Sequence, residues 1–417
     1  MDLAARYLQK GALYPEFIEE SPAPGTGIII VIPAFNEPEI AVCLSSLARC
    51  NPPPVPAEVI IVVNSPASSG LSGIEANAIT LMAIHEWRRV AGQTFFRLYV
   101  IDAGQPALTG WGVGTARKTG MDEAVRRFCK LGYPDGVIVS LDADCKVADN
   151  YFTALWHDFA LDRNAGACSI SFRHREENGE EANPAINAMR QYELHLRYFV
   201  RALRFIGYPY PFHTIGSAVA VKVYRYVGAG GMSRNQGGED FYFIGKLVVS
   251  DDFINLNSTT VFPSARLSAR VPFGTGPAIS TMIKSGAGDY LTYAPESFIP
   301  LRAFFGKFST GCSPAGAGDD YGLVPDDIRS FVDVNEWNHR KQELKDNTSS
   351  PAMYSKRFFA WFNAFRIVKY LNHVHGTLYV KMPVAMAASR LLTMSGIETA
   401  SRDVNGLLES YRILDSF

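Results

Sequence analysis

Val137-Ile138-Val139-Ser140-Leu141-Asp142-Ala143-Asp144-Cys145 is a short β-branched run that delivers two carboxylates, one residue apart, as it ends. A segment so apolar predicts a strand from Val137 to Leu141 covered on both faces. Burying the carboxylates unpaired would be costly, so the strand end calls for a partner. Hard divalent cations prefer oxygen ligands, and Mg²⁺ in particular takes one or two carboxylates and completes its shell with substrate phosphates. The other reading is that Asp142 and Asp144 cap the following turn and helix, a common use of Asp in loops. The tripeptide alone leaves the two readings even.

Working outward, the same kind of run recurs upstream. Gly27 to Ile32, stopping at Pro33, then Val59 to Val63, then Phe96 to Ile101 all predict strands. Helices are expected between them. Asn36 is placed to cap the first, with Glu39 completing a reciprocal cap and Ile40, Cys43, Leu44 and Leu47 forming its apolar stripe. Ile74 to Val90 predicts a second, and Thr115 to Leu131, closed by Gly132, a third. Strands and helices alternating at these lengths imply a mostly parallel sheet with helices on both faces, and a ligand site beyond the carboxyl ends of the strands. Those ends are Pro33 to Glu37, Asn64 and Ser65, Asp102, and Asp142 to Asp144.

Downstream the rhythm loosens. Ala167 to Phe172, Ser217 to Val223 and Ser258 to Phe262 predict strands, with a charged loop from Arg173 to Asn183 and a long helix from about Ile186 to Ile206. That helix carries Leu196, Phe199, Val200 and Leu203 on one side and Arg190, Arg197, Arg201 and Arg204 on another. The basic stripe is expected to be a solvated face, with acceptor or membrane contact as the alternative. From about residue 303 a Gly/Ser/Pro stretch gives way to helical patterns at Tyr354 to His375, Pro383 to Met394 and Asn405 to Leu414. Phe358, Phe359, Trp361, Phe362, Phe365 and Tyr370 surround their helix instead of forming one face. Packing of the C-terminal helices against the catalytic part is therefore expected, a helix lying on a membrane being the alternative. The expected division is an N-terminal extension (1–26), a catalytic domain (27–300, halves 27–145 and 146–300) and a mainly helical C-terminal region (301–417).

Bulk properties narrow the class. A chain of 417 residues exceeds what one growing core serves. Hydrophobic residues at 47% against 19% charged predict a chain folded throughout. A formal net charge of -1 offers nothing to a polyanion, so no nucleic-acid partner is expected. Cys43, Cys50, Cys129, Cys145, Cys168 and Cys312 lie far apart without metal-binding spacing, which suits reduced thiols in a cytosol. The N-terminus does not read as a signal peptide, and no apolar run reaches the ~18 residues of a membrane span. The expected location is cytoplasmic, with a peripheral position at the inner face of a membrane as the alternative.

Four motifs in order, Val31-Ile-Pro-Ala-Phe-Asn-Glu37, Ala116-Arg-Lys118, Asp142-Ala-Asp144 and Gly237-Gly-Glu-Asp240, resemble the nucleotide-sugar glycosyltransferases of the type A fold. The likeness is greatest to their large inverting family two and covers roughly Gly27 to Gly276. It implies a Rossmann-like nucleotide-diphospho-sugar transferase fold, a nucleotide-diphosphate sugar donor and a hydroxyl-bearing acceptor that is a glycan, a lipid-linked molecule or a small molecule. By that resemblance Pro33, Ala34, Phe35 and Glu37 line the nucleobase and ribose pocket, where a stacked aromatic ring is worth ~1 to 3 kcal/mol. Family members usually read the base edge with an aspartate where this chain has Asn64, an amide that can both donate and accept. Asp102 is a polar contact or a plain turn residue. Arg117 and Lys118 are expected near the diphosphate or the base, surface salt bridging being the alternative. Asp142, Ala143 and Asp144 hold the donor through Mn²⁺ or Mg²⁺ bound by the two aspartates.

The resemblance also gives Asp240 the role of general base toward the acceptor hydroxyl, with Glu239 assisting. A single in-line displacement of this kind inverts the anomeric centre. The plainer reading of Glu239 and Asp240 is an acidic helix start favoured by the helix dipole. His213, Gly216, Ser217 and Gly238 are candidate acceptor or donor-sugar contacts, as are Arg266 and Arg270, which could clamp phosphates. Some members of the fold supply a histidine to the metal after the Glu-Asp pair. Here no histidine lies between Asp240 and Trp337. Gly110, Gly112 and Gly114 form no Walker or dinucleotide motif. Competing functions are a retaining glycosyltransferase of the same fold, a nucleotidyltransferase and a non-catalytic sugar-nucleotide-binding protein.

Overall fold

The structure is a computed structural model that describes residues 2–65, 70–103, 112–175, 184–233, 238–264, 282, 288–310 and 320–416. The chain forms two compact units, Met1–Gly179 with Thr214–Pro277, and Glu180–His213 with Ala278–Phe417. This division does not follow the expected boundary near residue 300.

In chain order the first unit contains α1 (Asp2–Gly11), β1 (Ile28–Ala34), α2 (Ile40–Ala48), β2 (Ala57–Asn64), α3 (Gly70–Ala91), β3 (Phe96–Ala103), α4 (Val113–Leu131), β4 (Val137–Ser140), β5 (Lys146–Val147), α5 (Tyr151–Ala154) and β6 (Ala167–Phe172). After α6 (Pro184–Phe205), which belongs to the other unit, it resumes with β7 (Val219–Lys222), α7 (Val223–Gly228), α8 (Glu239–Leu247) and β8 (Phe253–Phe262). The strands form one sheet in the order β3-β2-β1-β4-β7-β6-β8-β5. Pairing is parallel from β3 through β2 and β1 to β4 and again between β6 and β8. It is antiparallel at β4/β7, β6/β7 and β5/β8. This is the α/β class expected, with a Rossmann-like parallel half and a mixed remainder.

β1 and β2 are buried along their whole length, which explains their unbroken apolar character. α4 crosses them closely at Gly120, where an added Cβ would stand 2.4 Å from Val31 Cγ1 and 3.0 Å from Val62 Cγ2. It ends, as expected, at Gly132 in the left-handed conformation (φ 66). The residues before β1 are not a loose extension. Glu123 of α4 accepts from the Phe17 and Ile18 N–H groups at 3.2 Å, and Arg127 donates to the Glu20 carbonyl at 2.8 Å. Arg127 is itself buried against Glu58 of β2.

One local expectation fails. Asn36 does not cap α2; it takes a left-handed φ of 52, and the helix begins at Ile40 with Glu39 in the cap position and no side-chain cap. The chain instead turns sharply after β1, and α3 secures the turn. Asn77 Oδ1 accepts from the Asn36 N–H at 3.1 Å and Thr80 Oγ1 from the Glu37 N–H at 2.9 Å.

The second unit is mainly helical. Its core gathers Leu194, Tyr198 and Leu203 of α6 with Phe298, Phe304, Phe305, Trp337, Phe358, Phe362 and Tyr370. The segment expected as one helix from Tyr354 to His375 is two, Pro351–Trp361 and Ala364–His375. Phe362 leaves the helical conformation to bury its ring, and Asn363 starts the next helix by accepting from the Arg366 N–H at 3.0 Å. The basic stripe of α6 is not a solvated face throughout. Arg197 is 3% exposed and bonds Glu193 at 2.9 Å and Asp415 at 2.7 Å, while Arg412 reaches Glu193 at 2.8 Å. No helix among the described residues is long and apolar enough to cross a membrane.

Candidate functional site

The parallel strands bring their carboxyl ends into line. Ala34 lies beside Val63, and Val63 beside Asp102. Val31 lies beside Ser140, after which Leu141 still donates its N–H to the Val31 carbonyl at 3.1 Å. Asp142 therefore leaves the sheet next to the Pro33–Glu37 turn. Pro33 and Ala34 are buried, Phe35 half-buried and Glu37 buried, while Asp102 is exposed. Asn64 is buried, and its carbonyl accepts from Asn77 at 2.8 Å, so α3 holds the first two strand ends together.

Arg117, in the first turns of α4, ties the site together. Its side chain is 4% exposed, with Nη2 on Asp142 Oδ1 at 2.6 Å and Nη1 on Glu239 Oε1 at 2.5 Å. One guanidinium thus joins the end of β4 to the start of α8. Burial works against its charge, but Asp142, Glu239 and Asp240 outweigh burial and hold its pKa well above the ordinary value. Glu239 is buried, and its pKa is raised, chiefly by desolvation, against the lowering pull of Arg117. Asp240 is half-buried, and burial raises its pKa as well, opposed by Arg117 and by hydrogen bonds from the Phe241 and Gly216 backbone.

Gly216 lies at that contact. A Cβ there would stand 2.8 Å from both Arg117 Nη1 and Asp240 Oδ2, so those side-chain ends would have to shift. Ser217 is buried beside it, bonding Cys145 of the Asp142–Cys145 turn. Gly238 sits at the N-cap of α8 with φ 71, a conformation that favours glycine and turns the two acidic residues inward.

Negative charge accumulates at the strand end. Burial and then Asp144, Asp142 and Glu37 push the Cys43 thiol up, opposed by Arg175. Among the described residues no group of three or more His, Cys, Asp or Glu side chains is arranged to hold a metal ion. What the turn offers is two hard oxygen donors, Asp142 with its side chain 39% exposed and Asp144 half-buried, in a surplus of carboxylates over guanidinium groups. Those residues fit Mg²⁺ or Mn²⁺ as a partial ligand set completed by phosphate oxygens and water.

Not every candidate joins the cluster. Lys118 turns the other way, buried against Asp122 at 3.0 Å and the Tyr7 hydroxyl at 2.6 Å. His213 belongs to the second unit, where Nε2 lies 2.9 Å from Asp415. Arg266, Arg270, Gly237 and Gly110 lie outside the described residues. Three contributors were not foreseen: Asn77 and Thr80, which brace the first turn, and Arg175, which donates from Nη2 to the Asp144 carbonyl at 3.0 Å. Nothing in local spacing marks them, because each acts across a large sequence separation.

No protein-family model matches the chain, and no curated protein does. Among solved structures it is similar to S. aureus TarS at 12% identity and a TM-score of 0.37, over 76% of this chain and 47% of that one, so that it spans about half of TarS. It is similar to TarS 1-349 with the same identity and TM-score, over 93% of this chain and 92% of that one. TarS 1-349 in complex with UDP gives 12% identity and a TM-score of 0.35 over the same shares.

Proposed function

We propose that the chain is a metal-dependent glycosyltransferase that moves a sugar from a nucleotide-diphosphate donor to a hydroxyl acceptor with inversion. The observation that carries this reading is the meeting of Asp142 and Glu239, two motifs far apart in sequence, on the one buried guanidinium of Arg117. A metal-binding turn and a proton acceptor both have to face one reacting centre, and neither a capping turn nor an acidic helix start requires such a link.

In this reading Asp142 and Asp144 hold Mn²⁺ or Mg²⁺, which would neutralise the departing nucleoside diphosphate. Pro33, Ala34, Phe35, Glu37, Asn64 and Asp102 surround the nucleoside at the neighbouring strand ends. Asp240 takes the acceptor's proton. Its raised pKa makes it a stronger base than an exposed aspartate, while Arg117 and the Gly216 N–H act the other way, favouring the ionised form. Glu239, its Oε1 held by Arg117, aims the pair and does not itself receive the proton. Action in the cytoplasm, or at the inner face of a membrane, is part of the same proposal.

The test is turnover with UDP-, GDP- and dTDP-sugars, with sugar acceptors and water offered to the full chain in Mn²⁺. Release of nucleoside diphosphate, with an inverted anomeric centre by NMR, is expected. Pyrophosphate release when a nucleoside triphosphate and a sugar 1-phosphate are offered in place of the donor would instead make it a nucleotidyltransferase, and retention would remove Asp240 as the base. Asp240→Asn is expected to lower turnover by ~100- to 10,000-fold, the usual contribution of general base catalysis.

A further inference from the structure

Arg175 follows the end of β6, and its position is set by the main chain. The Arg173 N–H donates to the Val261 carbonyl and the Arg175 N–H to the Pro263 carbonyl, each at 2.9 Å, prolonging the β6/β8 pairing past the strands. From that anchored backbone the guanidinium reaches the Asp142–Cys145 turn, Nη2 donating to the Asp144 carbonyl at 3.0 Å. Its Nε is buried and has no hydrogen-bond partner among the described residues. A buried donor left unmade is destabilising and uncommon in native proteins.

The chemistry of the surroundings says what would complete it. A guanidinium beside a dication site opposes the binding of that dication. The neighbouring carboxylates offset part of that opposition, and an anion carrying more negative charge than the dication neutralises removes the rest. A diphosphate does, and a guanidinium fork matches its oxygens in the bidentate manner an ammonium cannot.

We propose that Arg175 is a diphosphate-binding residue of the donor site, its guanidinium taking phosphate oxygens while Nη2 holds the Asp144 turn. The proposal rests on the nucleotide-sugar reading above. It supplies a cation on the diphosphate in a chain that has no histidine between Asp240 and Trp337. A purely structural role, pinning the Asp144 turn, is the competing account.

Calorimetric titration of the full chain separates the two, with Mn²⁺ alone and then, in Mn²⁺, UDP, GDP and dTDP as probes and the matching nucleosides as controls. A pinning role predicts weaker binding of Mn²⁺ itself to Arg175→Gln; a diphosphate contact predicts Mn²⁺ binding unchanged or tighter. For whichever diphosphate binds, Arg175→Gln is expected to lose affinity by about 10- to 100-fold, the range for a hydrogen bond to a charged group, while the nucleoside changes by less than about 2-fold. Arg175→Lys should recover part of the loss through its charge. Equal losses for diphosphate and nucleoside, or no loss for either, would overturn the proposal while leaving the donor reading intact. If the unsubstituted chain binds none of the three diphosphates, the donor reading fails and this proposal with it.

Discussion

Arg117 serves three carboxylates at once, so its loss should cost more than the loss of any one partner. Arg117→Met would leave Asp142 and buried Glu239 without their counter-charge. Breaking a buried pair from one side costs ~3 to 5 kcal/mol, and urea unfolding of the variant should show a loss of that size. Asp240 predicts the opposite sign. Its folded pKa lies above the unfolded value, so the folded state binds more protons, and stability falls as pH rises from the unfolded pKa through the folded one. Asp240→Asn should therefore raise the melting temperature at pH 7 while removing turnover, and the gain should shrink below the ordinary aspartate range. A lower melting temperature at pH 7 would mean that the Asp240 charge is satisfied. Sequence pointed to Arg117 as a diphosphate contact or a salt-bridge residue but could not name Glu239 as its partner, because that bond spans 122 positions. The adjacent Lys118 illustrates the same limit: one residue along a helix faces another side altogether.

At the scale of elements, the strands were legible wherever burial on both faces forced an unbroken apolar run, as in β1, β2 and β4. Ala167–Phe172 was read to the residue. Caps were less legible, since Asn36 suits an N-cap and a left-handed turn equally, and only the bracing by Asn77 and Thr80 selects the turn. The α4 crossing yields a prediction of its own. Alanine at Gly120 gains ~1 kcal/mol of helix propensity. Its Cβ would meet Val31 Cγ1 at 2.4 Å inside the sheet, and overpacking of that kind costs ~1 to 3 kcal/mol. The packing term wins, so Gly120→Ala should lower the urea midpoint. In the second unit, Glu193 neutralises both Arg197 and Arg412 between α6 and Val404–Asp415. Glu193→Gln should therefore loosen the C-terminal helix, seen as faster amide exchange over residues 404–415, by the cost of two buried cations sharing a lost partner.

At the scale of the whole molecule, sequence adjacency did not show where α6 packs. Its basic stripe suggested a solvated face opposite an apolar one, and Leu194, Tyr198 and Leu203 join the aromatic core built on Phe304 and Phe358. Long-range packing of that kind has no local signature, whereas the β-loop-α rhythm and the carboxylates at its strand ends do. The central claim is that Asp142 and Asp240 serve one donor site in different roles, one in holding and one in transfer. A nucleoside diphosphate at about 100 times its dissociation constant adds ~2.7 kcal/mol of stability to the state that binds it. The most direct measurement is thermal unfolding of the unsubstituted chain, Asp142→Ala and Asp240→Asn, each with UDP, GDP and dTDP in Mn²⁺. The account predicts a ligand-dependent rise in melting temperature that Asp142→Ala abolishes and Asp240→Asn retains; an undiminished rise in Asp142→Ala would contradict it.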